Sequence, residues 1–127
     1  MADLINTYAS RKASEIPPQD LRMILTDLIK EAEMVMGGSS EKEYMAMLIN
    51  WSYKLINDKF FYLPINHINA AFYYGALGQR GGTSKLIPRN IAIWISEQRA
   101  MFQEQVMRMQ KKDDETRRAT EMQTGKA

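Results

Sequence analysis

The glycine-rich segment in the second half of the chain carries the residues with the clearest chemical potential. Four of the seven glycines fall within eight residues: Gly75, Gly78, Gly81 and Gly82. Arg80 lies among them, and Lys85 and Arg89 follow. Glycine lets a backbone approach a ligand closely, and the free N–H groups that begin a helix attract anions. The segment therefore predicts a cradle for nucleic-acid phosphate, although a structural glycine turn with solvated cations fits the same pattern.

The helix that Pro88 is expected to begin extends this predicted surface. Asn90 lies in its first turn, where a helix inserted into a groove presents base-reading side chains. Gln98 and Arg99, one turn or more further on, are expected to continue the basic face. The predicted nucleic-acid-binding residues are Arg80, Lys85, Arg89, Asn90 and Arg99.

The same segment does not match a nucleotide-hydrolysing phosphate loop. That motif needs a lysine before its hydroxyl residue and a buried strand before the loop. Here Lys85 follows Thr83 and Ser84, and a helix is expected before the loop. We therefore predict no nucleotide hydrolysis.

The remaining polar residues give no catalytic or metal-ligating pattern. The chain has no cysteine, which excludes thiolate chemistry and disulfides. His67 is the only histidine, and an acid–base or metal site would need Asp27 or Glu31 beside it. Nothing in the spacing requires that meeting, so we expect no catalytic residues, no metal and no cofactor. An enzyme built on His67 is kept as an alternative.

Aromatic and methionine side chains mark a second kind of candidate surface. Six of the twelve aromatic residues lie between residues 60 and 74, and consecutive ones cannot all face one core. Ten methionines suggest adaptable packing or a partner-facing helix. The predicted partner-binding residues are Tyr73, Tyr74, Trp94, Met101 and Met109.

The charge distribution separates the two parts of the chain. Residues 1–76 carry seven Lys/Arg against nine Asp/Glu, whereas residues 77–112 carry seven against two, within a net charge of +2. No stretch approaches the roughly 18 apolar residues of a membrane helix, and no export signal is evident. We expect a soluble cytoplasmic protein that does not bind membranes.

Apolar residues recur at three- and four-residue steps, which predicts an all-α fold. We expect a compact bundle of four to five helices in a domain spanning residues 1–110, with a long last helix. Residues 111–127 are polar and are predicted to form a disordered tail. The predicted helices span residues 3–12, 18–36, 40–57, 64–74 and 88 to about 112, the third beginning with a capping box from Ser40 to Glu43.

The stretch from Phe72 to Arg99 resembles small helical proteins encoded in phage and mobile-element replication modules. The similarity lies in the glycines, in Pro88-Arg89-Asn90-Ile91, and in Trp94-Ile95 followed by Arg99. It covers under a quarter of the chain. The resemblance implies a DNA-replication accessory or helicase-loading role, with a replicative helicase as a partner.

Together these features favour a non-enzymatic adaptor that binds DNA through its cations and a protein through its last helix. The alternative is a protein-interaction module without nucleic-acid binding, such as a homo-oligomer or a virion or host-factor-binding component.

Overall fold

The computed structural model describes residues 3–38, 40–82 and 85–124, and this part of the chain is an all-α bundle. Its helices are α1 (Asp3–Thr7), α2 (Pro18–Val35), α3 (Lys42–Lys59), α4 (Ile65–Ala76) and α5 (Pro88–Thr124), with a single 3-10 turn at Ala13–Glu15. The predicted fold class and the long last helix are confirmed. None of the helices described is long and apolar enough to cross a membrane.

The core forms where α4 packs against α5 on one side and α2 on the other, while α3 closes the bundle against α2 and α5. Each helix contributes apolar residues at helical spacing, such as Leu21, Ile24 and Leu28 of α2. On α5 the buried positions include Ile91, Trp94 and Ile95. The first three turns of α5 are therefore anchored in the bundle.

The first helix is shorter than predicted. α1 ends at Thr7, and the chain then lies beside residues 61–65. Ala13 N donates to Leu63 O at 3.1 Å, and Ser14 N donates to Phe61 O at 2.9 Å. These long-range backbone bonds replace the local helical bonds that the sequence of residues 8–12 predicted.

The predicted capping box is wrong. α3 begins at Lys42 with Glu41 as its N-cap, and no side chain caps it. The Ser40 N–H instead donates to the Glu33 carboxylate at the end of α2. A hydrogen bond from the connecting segment back to α2 thus uses the N–H group that the local motif would have used.

Gly75 was predicted to lie outside the helix, but it lies inside α4 and is buried. A Cβ atom at this position would lie 2.1 Å from Cδ2 of Trp94. Because only glycine leaves room for the indole, packing against α5 offsets the low helix propensity of glycine.

The polar segment after Lys111, predicted to be disordered, is helical as far as Thr124, and residues 125–127 lie outside the described part. Extending an existing helix requires no new nucleation, which explains why a segment without a buried face continues as a helix. Arg117, within reach of Asp114 and Glu121, adds local support. At about 1.5 Å per residue, α5 is about 55 Å long.

Candidate functional site

The glycine turn, residues 77–82, connects α4 to the segment that precedes α5. Gly78 and Gly82 have φ values of 78° and 94°, which favour glycine. Gly81 N donates to Glu97 Oε2 at 2.8 Å. A Cβ on Gly81 would lie 2.5 Å from Glu97 Oε1, so glycine lets the turn approach α5. Thr83 and Ser84, which the sequence placed in this loop, lie outside the described residues.

Asn90 attaches the segment between the glycine turn and α5 to the bundle, and the predicted base-reading role is corrected here. The side chain is 2% exposed, and its Nδ2 donates to Lys85 O at 2.7 Å. On the same segment, Leu86 O accepts a hydrogen bond from Tyr44 Oη of α3 at 2.8 Å. Asn90 therefore stabilises the start of α5 and is not available to a groove.

Arg80 turns toward the bundle. Its Nη2 donates to Gln98 Oε1 at 2.7 Å, and its Nη1 donates to Gln79 O at 3.2 Å. The guanidinium carbon also lies 4.9 Å from the centre of the Tyr74 ring, a cation–π distance. In the part of the chain described, Arg80 has no carboxylate within ion-pair distance.

The other three cations predicted to bind nucleic acid differ in their contacts and exposure. Arg99 lies over the Phe60 ring, 5.2 Å from its centre, at the end of α3. Lys85 and Arg89 are exposed. Of the five residues predicted to bind nucleic acid, only these two are exposed; Arg80 and Arg99 are half-buried and Asn90 is buried.

His67 faces α5 and not α2. Its Nδ1 lies 2.9 Å from Gln98 Nε2, and its ring packs edge-on against Phe102 with centres 4.8 Å apart. Burial lowers the pKa of His67 below its ordinary value. Gln98, expected on a basic surface, is 5% exposed and connects His67 to Arg80.

The structure gives no support to a catalytic pairing of His67 with an acid of α2. Glu31 lines a shallow groove between α2 and α4 together with Asn69 and Tyr73, and His67 is not part of it. Among the residues described, no three His, Asp or Glu side chains form a group that could bind a metal ion.

The predicted partner-binding residues divide into exposed and buried ones. Tyr73, Tyr74, Met101 and Met109 are exposed. Trp94 is 1% exposed and packs on Gly75 and Phe72, so its predicted partner contact is corrected to a core contact.

Two polar residues of α5 organise this site: sequence reasoning missed Glu97, and it placed Gln98 on an exposed basic face although the side chain is buried. Glu97 accepts the Gly81 N–H, and Gln98 bridges Arg80 and His67. Glu97 and Gln98 are residue types common on exposed helix faces, so the local sequence does not indicate that they make such contacts. The one available signal was position, because residue 98 falls on the same helical face as Ile91 and Ile95.

The chain matches no protein-family model, no curated protein and no solved structure.

Proposed function

We propose that this protein is a non-enzymatic interaction module that binds a partner protein through the outer part of α5, residues 102–124. The observation that carries the proposal is the exposure of every side chain from residue 107 to residue 121 on a continuous helix. The segment from residue 107 to residue 121 buries no face in the bundle, so its side chains are available to another molecule.

An apolar stripe leads from the bundle onto this outer part. Phe102, Val106 and Met109 follow one another at i, i+4 and i+7, in line with the buried Ile91 and Ile95. Phe102 and Val106 are half-buried, and Met109 is 66% exposed. This spacing suits an apolar groove or a second amphipathic helix.

Met107 provides a matched control for Met109. The two side chains are 69% and 66% exposed, yet they differ by two positions and so point about 200° apart around the helix. Any partner that reads the apolar stripe must contact Met109 and leave Met107 accessible.

Site-specific photo-crosslinking in the producing cells tests the proposal. A photoreactive phenylalanine analogue at Met109 is expected to yield one discrete crosslinked product, and the same analogue at Met107 to yield none. Val106→Asp should remove the product, whereas Gln103→Asp, off the stripe, should not. Equal crosslinking from both methionines, or none from Met109, would contradict the proposal. Crosslinking of the purified protein to itself would identify the partner as a second copy.

DNA is a second candidate ligand, supported by a narrower observation. Lys85 and Arg89 are exposed beside the start of α5, and neither has a carboxylate within ion-pair distance in the described part of the chain. The resemblance to phage replication accessory proteins favours the same ligand, and it would make a replicative helicase one class of protein partner.

Fluorescence anisotropy with a labelled oligonucleotide at several salt concentrations tests this second function. With two exposed cations, the slope of log K against log salt should be about −2 or shallower for duplex DNA. Lys85→Ala with Arg89→Ala should abolish the salt dependence, whereas Lys54→Ala with Lys59→Ala on α3 should retain it. Absence of binding at low salt would eliminate DNA as a ligand.

A further inference from the structure

The hydrogen bonds around Gln98 determine the protonation state of His67. A guanidinium has only donors, so Gln98 must present its Oε1 to Arg80 and its Nε2 to His67. The Nε2 group is itself a donor, and His67 Nδ1 must therefore accept. The imidazole is consequently neutral, with its proton on Nε2.

A second contact positions both end residues of this hydrogen-bonded series, Arg80 and His67. Arg80 lies over the Tyr74 ring, and His67 packs against Phe102. Gln98 is 5% exposed and has little access to water as a replacement partner. Arg80 Nε is buried without a hydrogen-bond partner, so the guanidinium depends on the contacts made by its other two nitrogens.

Among the residues described, no carboxylate forms an ion pair or a hydrogen bond with His67 that would stabilise a protonated ring. On α5, Glu97 is bonded to Gly81, and Arg99 lies over Phe60. Burial is the cause that lowers the pKa of His67, with no contribution from a charged neighbour.

Two charged groups of the other elements packed on α4, Glu31 and Arg11, have contacts of their own. Glu31 of α2 lies in the groove lined by Asn69, away from His67. In the segment after α1, Arg11 is exposed and pairs with Glu15.

We propose that neutral His67 helps to hold the glycine turn against α5 and that protonation of its ring weakens this attachment. We call this arrangement the latch. Protonation places a hydrogen on Nδ1, and two donors then face each other between His67 and Gln98. If Gln98 rotates its amide so that Oε1 accepts from His67, its Nε2 faces Arg80, again donor to donor. One of the two hydrogen bonds is lost in either arrangement: the first separates Gln98 from His67 on α4, and the second separates Gln98 from Arg80 and so releases the turn.

Nuclear magnetic resonance of the uniformly 15N-labelled protein tests the latch, because His67 is the only histidine. At about pH 7.5 the ring should be the Nε2–H tautomer. On acidification, the amide-exchange protection of Gly81, corrected for intrinsic pH effects, should decrease by a factor of two to about ten. The midpoint of this decrease should equal the midpoint of the His67 titration. An Nδ1–H tautomer, or Gly81 protection that ignores the His67 midpoint, overturns the proposal.

Two variants separate the latch from ordinary packing. His67→Phe retains a ring against Phe102 but removes the acceptor, so Gly81 protection should be lower and independent of pH. Gln98→Glu supplies a carboxylate that accepts from both Arg80 and protonated His67. It should raise the pKa of His67 and reverse the pH dependence, so that protection increases on acidification. A Gln98→Glu protein whose His67 midpoint does not rise would overturn the latch even if His67→Phe failed to fold.

Discussion

The indole of Trp94 packs on Gly75 so closely that the position of a Cβ on Gly75 lies 2.1 Å from Trp94 Cδ2. This contact joins α4 to α5 at the point where the glycine turn leaves the bundle. It sets the separation of the two helices that position His67, Gln98 and Arg80.

Gly75→Ala should destabilise the protein by about 1–3 kcal/mol, the usual range for overpacking a core. The sign is informative, because alanine in a helix is otherwise favoured over glycine by about 1 kcal/mol. Urea unfolding followed by circular dichroism measures the change. In a Trp94→Leu background the cost of the alanine should shrink, since the clashing ring is gone. An alanine that stabilises the original protein would contradict the contact.

Stability should decrease on acidification because of His67. Its pKa is lower in the folded protein than the unfolded value of about 6.5, so the unfolded chain binds more protons between the two values. The contribution is complete above about pH 6.5 and is lost as the pH falls toward the folded pKa. Denaturant midpoints measured from about pH 5.5 to 7.5 check this. His67→Phe should flatten the profile, and a profile that persists in that variant would assign the effect to other groups.

Alanine substitutions of two neighbouring residues at the start of α5 should have very different effects on stability. Asn90→Ala should cost about 1–3 kcal/mol, since it leaves the Lys85 carbonyl without its bond to Asn90 Nδ2. Arg89→Ala, at an exposed position, should change stability by less than about 0.5 kcal/mol. Thermal and urea unfolding of the two variants give the comparison. Equal costs would mean that Arg89 also supports the fold.

Removal of residues 111–127 should leave the stability of the bundle unchanged within about 0.5 kcal/mol, because residues 111–121 are exposed. Helical circular dichroism should nevertheless fall, as fourteen helical residues from Lys111 to Thr124 are lost. Unfolding curves and far-ultraviolet spectra of the truncated and full chains measure both effects. A marked loss of stability would show that this segment packs against the bundle.

The helical architecture was largely predictable because it depends on local spacing. The apolar stripe of α2 and the proline that opens α5 identify their helices without reference to other elements. Predictions failed where a residue outside the local motif intervened, either on the preceding helix or far away in the sequence. The Ser40 N–H bonds to Glu33, and Gly75 stays helical because Trp94 covers it.

The sequence by itself determined that the chain forms helices, that it has no thiol chemistry, and that an excess of positive charge lies in residues 77–112, within and after the glycine-rich segment. Only the tertiary structure decided which of those cations are accessible. Side-chain exposure depends on contacts between residues far apart in the chain, and those contacts turn Arg80 toward Gln98 and bury Asn90 and Trp94. A pattern of residue types specifies which side chains share a helical face, but the packing of α4 against α5 determines which of them remain exposed to a ligand.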